Sequence, residues 1–209
     1  MKKKLILIGA GGFAKSIIDS IDKDKFDLKG FIDTYKTGEH RDINILSNSL
    51  EKISEAKRYS YFIAIGNPDV RSLFMHQLKE MDLDVANIID STSIIAKDAI
   101  LGNGIYIGKM SIINPDTKLG DGVVVNTRSL VEHGCEVGYC SNISTNVVMN
   151  GDVVIGSRSF IGSCAVINGQ LTVGNDSIIG SGSVVIRNVR SNVVVAGTPA
   201  HFIRDNIYE

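Results

Sequence analysis

The sequence predicts a two-part molecule, an α/β unit followed by an all-β stack of short strands, and three observations carry that prediction. An aliphatic residue recurs every six positions from Ile95 to Val185 without a slip. A β-rich run, Lys4 to Ile8, leads straight into Gly9-Ala10-Gly11-Gly12, after which Ala14, Ile17, Ile18 and Ile21 recur at helical spacing. Only the short polar stretch Asp90-Ser91-Thr92-Ser93 separates the two patterns, so the parts are expected to dock closely. The implied boundaries are residues 1–90 and 91–209.

Composition sets the outer limits. With 209 residues, 44% hydrophobic and 22% charged, the chain has the make-up of a soluble globular protein able to bury a core. A net charge of −1 leaves no basic stripe for nucleic acid or an anionic membrane surface. The short apolar run after Met1-Lys2-Lys3-Lys4 ends in glycine and fits a strand better than a secretion signal. No window approaches the roughly 20 apolar residues of a membrane span. Cys135, Cys140 and Cys164 are odd in number and lack Cys-x-x-Cys spacing, which points away from a disulfide framework and a zinc site. The expectation is a reduced, cytoplasmic protein without metal.

In the amino-terminal part, strand, glycine turn and helix follow one another. Residues without side chains let a backbone approach a phosphate, and a helix amino terminus directs unpaired N–H groups at it. A second strand, Leu28 to Ile32, ends at Asp33, so Gly9-x-Gly11-x-x-Ala14 with a later acid satisfies a dinucleotide fingerprint. That pattern alone would also suit a nicotinamide-dependent oxidoreductase or a glycine turn needed only for packing. Tyr61 to Ile65 reads as a third strand, followed by Gly66-Asn67-Pro68 and a helix carrying Val70, Leu73, Phe74 and Leu78. Pro68 suits a first helical position. Val85 to Ile89 reads as a last strand. The unit is too short for two mononucleotide-binding halves, so a Rossmann-like βαβ domain holding one nucleotide is expected.

The array is read slot by slot. Its aliphatic slots are Ile95, Leu101, Ile107, Ile113, Leu119, Val125, Val131, Val137, Ile143, Met149, Ile155, Ile161, Ile167, Val173, Ile179 and Val185. Chance would produce such a run with odds on the order of one in a million. Four residues after each slot comes a mostly small or β-branched residue, such as Ser111, Ser129, Cys135, Ser141 and Ser159. The residue just after the slot is Gly or Asn in twelve of sixteen cases, read here as the position that tolerates unusual backbone angles. A six-residue repeat describes a short strand and a corner, with successive coils stacking around a continuous core.

Aliphatic, Gly/Asp/Asn/Glu, two free positions, small, free is a pattern that resembles the hexapeptide signature of left-handed β-helix acyltransferases. The handedness comes from this resemblance, as does a count of three faces to a coil. Gly9-Ala-Gly-Gly12, Phe31-Ile-Asp33, Phe62-Ile-Ala-Ile-Gly-Asn67, Val131-Glu-His-Gly-Cys135 and Ala196-Gly-Thr-Pro-Ala200 extend the likeness over almost the whole chain. They are similar to the sialic acid O-acetyltransferase and bacillosamine-pathway N-acetyltransferase (NeuD/PglD-like) family of bacterial polysaccharide biosynthesis. The resemblance implies an acetyl-CoA-dependent transfer to an amino group or hydroxyl of a surface-glycan sugar, a UDP-4-amino-sugar or sialic acid.

It also implies roles. His133, the only histidine in the array and one at an outward corner, would be the general base, a task that suits an imidazole titrating near neutrality. Glu132 would orient it. Gly11, Gly12, Phe13, Asp33, Thr34 and Gly66 would hold the nucleotide end of the acceptor. Coenzyme A would pass Asn142, Ser163 and Ser181 between neighbouring copies of a homotrimer, with Arg187, Arg190 and Arg204 near its phosphates. Three departures stand out: Gly134 where some relatives have a carboxylate, Asn142 where relatives often have histidine, and Phe13 where the glycine loop commonly ends in histidine. They leave room for a different class, a non-catalytic trimeric nucleotide-sugar-binding scaffold.

Overall fold

A computed structural model describes residues 2–206. The amino-terminal unit is a six-stranded sheet of β1 (Lys3–Ile8), β2 (Phe26–Ile32), β3 (Glu39–His40), β4 (Ile43–Ser47), β5 (Ser60–Ile63) and β6 (Asp84–Val85), in the order β3-β4-β2-β1-β5-β6. All neighbours run parallel except β3 and β4. Leu5 to Ile8 of β1 are buried on both faces, which is why that run lacks polar alternation. Helix α1 (Gly12–Ser20) turns Ala14 and Ile17 inward, and α2 (Pro68–Glu80) starts at its proline. Asn67 caps α2 by accepting from the Asp69 and Val70 N–H groups at 2.9 and 3.0 Å.

From Ile88 the chain winds as a left-handed β-helix of two-residue strands. Up to Val185 these strands pair in parallel at a spacing of eighteen residues, as Tyr106 does with Val124 and Val124 with Asn142. Three faces result. The first contains Ile88–Ile89, Tyr106–Ile107, Val124–Val125, Asn142–Ile143, Phe160–Ile161 and Ile178–Ile179. Leu130–Val131 and Val148–Met149 belong to the second, Glu136–Val137 and Val154–Ile155 to the third. The aliphatic slots from Ile107 to Val185 are buried in one continuous core, with Ile95 and Leu101 partly exposed at its open end. The small slots point inward too, and their hydroxyls bond the next coil: Ser129 Oγ donates to Ser144 O at 2.6 Å and Ser159 Oγ to Gly174 O at 2.7 Å.

Two local expectations change. From Gly104 to Gly182 every sixth residue has φ between 53 and 71°, but that residue lies three places after the slot and is usually not glycine: Asp116, Arg128 and Asn146 all hold it. Glycine directly after the slot serves the stacking of coils instead. A Cβ on Gly138 would come 2.7 Å from the Gly156 carbonyl carbon, and one on Gly162 would come 2.6 Å from Ile179 O. The second change concerns Val85 to Ile89, which divides: Val85 pairs with Tyr61 in the amino-terminal sheet, whereas Ile88 pairs with Tyr106 in the β-helix. Asp90-Ser91-Thr92-Ser93 is thus already a corner of the first coil, held by Thr92 Oγ1 to Asp90 Oδ1 at 2.6 Å and Ser93 Oγ to Asp90 O at 2.7 Å.

The two parts share a core. Tyr106 and Val124 of the first face pack with Leu7, Ala14 and Phe62. Phe13 meets Tyr106 edge to face at 5.3 Å. Among the described residues no helix is long and apolar enough to cross a membrane.

Candidate active site

All six residues expected to hold a nucleotide, Gly11, Gly12, Phe13, Asp33, Thr34 and Gly66, line one cleft of about 630 Å³ at the carboxyl ends of β1, β2 and β5. Gly11 caps α1 without a side-chain hydrogen bond, so the first N–H groups of the helix face the cleft unpartnered by a cap. Neither Gly11 nor Gly12 has any atom within 4 Å of where a Cβ would sit. Asp33 fixes the loops on either side. Its Oδ2 accepts from Ala10 N at 2.7 Å, and its Oδ1 accepts from Tyr35 and Lys36 N at 3.0 Å each. Burial acts to raise its pKa, but the three N–H donors together outweigh it and hold the carboxyl below its ordinary value. Asn48, Glu51 and Gln77 add polar groups to the rim, with no motif in the sequence to announce them.

Beyond Phe13 and Gly66, which it shares, the cleft is continued by a second cavity of about 250 Å³ over the first face of the β-helix. Val124 and Phe160 give it an apolar floor, and Asn126 and Ser144 close it where the first face turns into the second.

Asn142 belongs to this region, not to an exposed corner. It lies on a strand of the first face, is 6% exposed, and donates through Nδ2 to Gly66 O at 2.7 Å. Its Oδ1 accepts from Arg71 Nη2. Sequence reading missed Arg71, which is fully buried. Its Nε donates to Gly122 O and Nη2 to Cys140 O, both at 2.7 Å, and Nη1 donates to Ile65 O at 2.9 Å. Desolvation lowers its pKa to about 10, still far above neutrality, so the guanidinium remains charged among carbonyl oxygens.

His133 follows Leu130–Val131 of the second face and precedes Glu136–Val137 of the third, so it stands exposed on the edge opposite the first face. The amino-terminal cleft docks on the first face, and one chain therefore does not bring His133 to its own cleft. Glu132 accepts from Asn114 Nδ2 at 2.9 Å, one coil earlier, while the His133 ring lies over Gly151, one coil later. The neighbours point apart along the axis. Ser163 and Ser181 sit one coil apart on the edge between the first and second faces, half-buried and exposed respectively. Arg190 is paired with Asp205 at 2.7 Å and stacked over Phe202, and Arg204 Nη1 donates to Asp205 O at 3.0 Å, whereas Arg187 is exposed. Among the described residues no group of three or more His, Cys, Asp or Glu is placed to hold a metal.

The chain joins an amino-terminal α/β domain to a left-handed β-helix of hexapeptide repeats, the architecture of the solved acetyltransferases it resembles. More particularly, residues 4–78 match the PglD N-terminal domain and residues 152–187 the bacterial transferase hexapeptide (six repeats), and the chain as a whole is similar to PglD/NeuD-like sugar acetyltransferases. The acetyltransferase domain of PglB from Neisseria gonorrhoeae superposes with a TM-score of 0.93 at 26% identity, covering 97% of this chain and 100% of that one. In complex with acetyl coenzyme A the same domain gives 0.92 at 26% identity and the same coverage. PerB from Caulobacter crescentus, in complex with CoA and GDP-perosamine, gives 0.88 at 25% identity over 96% of this chain and 97% of that one. An uncharacterized protein of Acanthamoeba polyphaga mimivirus is 29% identical over 102 residues, 49% of this chain. The match spans 20% of the length of that curated relative.

Proposed function

We propose that this protein transfers the acetyl group of acetyl-CoA to an amino group of a nucleotide-linked sugar, with His133 as general base. What carries the reading is the gathering of Gly11, Gly12, Phe13, Asp33, Thr34 and Gly66 into one cleft at a helix amino terminus. Such a cleft suits a diphosphate, and its apolar extension past Phe13 suits a sugar with few hydroxyls. GDP-perosamine, the ligand in the PerB structure, is a nucleotide-sugar of this general build.

The chemistry balances with one base. The imidazole takes a proton from the acceptor amine as its nitrogen attacks the thioester carbonyl, the carbon–sulfur bond breaks, and the thiolate leaves to be protonated. Positioned general-base catalysis typically contributes 10²- to 10⁴-fold. Because His133 lies on the edge opposite the docked cleft, the sugar held by one chain meets the His133 of another, and the working unit is a homotrimer. Coenzyme A then lies between copies, where the small side chains of Ser163 and Ser181 leave room. Asn142, engaged by Arg71 and Gly66, forms the wall of the acceptor cavity.

A thiol-release assay with acetyl-CoA across nucleotide-linked 4-amino sugars and free sialic acids tests the reading. Release is expected with at least one nucleotide-linked amino sugar, and His133→Ala should lose nearly all of it while keeping coenzyme A affinity. Binding of nucleotide-sugar with no release from any acceptor would favour the scaffold instead.

A further inference from the structure

The imidazole of His133 does not stand free on its edge. It lies across Gly151, which occupies the same place in the repeat one coil later: a Cβ on Gly151 would come 2.7 Å from Nε2 and 3.2 Å from Nδ1. A methyl group and the ring cannot share that space. The peptide beneath the ring is latched as well. Asp152 N donates to His133 O at 2.9 Å, and Gly134 N donates to Pro115 O at 3.0 Å. On the far side, the Asp152 carboxylate comes down over Gly134, where any Cβ would collide with its Oδ1.

Nothing in the backbone asks for glycine at 151. Its φ is outside the left-handed region, and of the corresponding places on the same edge Lys97, Pro115, His133 and Arg187 carry side chains, while Gly169, the other glycine, is pressed by a backbone atom, Gly151 O at 3.1 Å from its Cβ position. The atoms in the way of a side chain at 151 belong to the imidazole, not to the main chain of a stacked coil as at Gly138.

We propose that Gly151 is a positioning residue for the reaction: its bare Cα is the seat that holds the His133 imidazole against the edge of the β-helix in a single orientation. The proposal rests on His133 being the base. An exposed imidazole samples several rotamers, and a base must meet the acceptor proton within hydrogen-bond reach. A displacement of about 1 Å at a reacting group can cost on the order of 10²-fold in rate. The seat removes that freedom before substrate arrives.

The experiment is Gly151→Ala in the full-length protein. Since only the movable end of a side chain must give way, the variant should fold as the parent does, which its circular dichroism and melting curve check. We expect kcat to fall by about 10- to 100-fold, with KM for acetyl-CoA and for the acceptor unchanged within about twofold. In the ligand-free parent, proton NMR should show a nuclear Overhauser contact between His133 Hε1 and Gly151 Hα. A folded Gly151→Ala protein with parental kcat, or a parent lacking that contact, overturns the proposal. Full turnover in His133→Ala would overturn the base assignment and the seat's functional role with it. That failure is distinguishable, because the NMR contact would still be present.

Discussion

Asn142 Nδ2 donates to the carbonyl of Gly66 at 2.7 Å, tying the wall of the amino-terminal cleft to a strand of the β-helix. Arg71 completes the clasp by donating to Ile65 and Gly66 on one side and to Gly122, Cys140 and Asn142 on the other. The clasp should govern how firmly the two parts dock. Arg71→Met leaves several buried carbonyls without a donor and should destabilise the protein by roughly 3 kcal/mol or more, read from urea denaturation. Asn142→Ala should cost roughly 1–3 kcal/mol by the same measure. A loss below about 0.5 kcal/mol for Arg71→Met would show that docking rests on apolar packing alone.

The proposed sharing of active sites between copies predicts complementation. His133→Ala and Gly12→Phe, the latter placed where nothing lies within 4 Å of a Cβ and so able to fill the cleft, should each be nearly inactive. Mixed oligomers from co-expression should regain activity, because some sites would combine an intact cleft with an intact base. Were both groups to act within one chain, mixing would restore nothing.

The position of Asp33 gives a pH dependence with a definite sign. Its folded pKa lies below the ordinary aspartate value of 3.8, so the folded state binds fewer protons than the unfolded state around that pH. Its contribution is therefore fully present above about pH 3.8 and is lost as the pH falls through the lower folded value. Asp33→Asn should be less stable than the parent at pH 7, and acid titration of the two unfolding curves should show the gap closing below that range. A gap that stays constant into strong acid would contradict the assignment.

Thiol chemistry should distinguish the cysteines. Burial raises the pKa of the Cys140 thiol to about 11 and also raises that of Cys135, whereas Cys164 is exposed. One equivalent of a thiol reagent should react quickly with the native protein at pH 8, and Cys164→Ser should abolish that phase. All three should react after unfolding. Fast labelling of Cys140 in the folded protein would mean that the docked surface opens readily.

Legibility in the sequence followed the physics of each feature. The β-helix was readable because every coil meets the same core, so Ile107, Val125 and Ile143 repeat one environment at a fixed interval. The cleft was readable because Gly11 and Gly12 open a helix immediately after a buried strand. Arg71 was not. On a helix its charge reads as solvated, and its acceptors Gly122 and Cys140 lie 51 and 69 residues away. The glycines after the slots stand out in the sequence but not their cause, since the pressure on Gly138 comes from a coil stacked on it and not from its own φ. Where His133 faces depends on which side of the β-helix the first domain docks, a long-range fact that local pattern does not contain.

The regular winding makes residue count a measure of angle. Eighteen residues carry the chain once round, as the pairing of Tyr106 with Val124 records, and six carry it one third of the way. Inserting a full coil between Tyr106 and His133 would raise His133 along the axis and leave its bearing unchanged. A single hexad inserted there would swing His133 to the edge where the third face meets the first, beside the docked domain of its own chain. Length changes in this protein are thus of two kinds, translations and rotations, and only the rotations would turn His133 toward the cleft of its own chain.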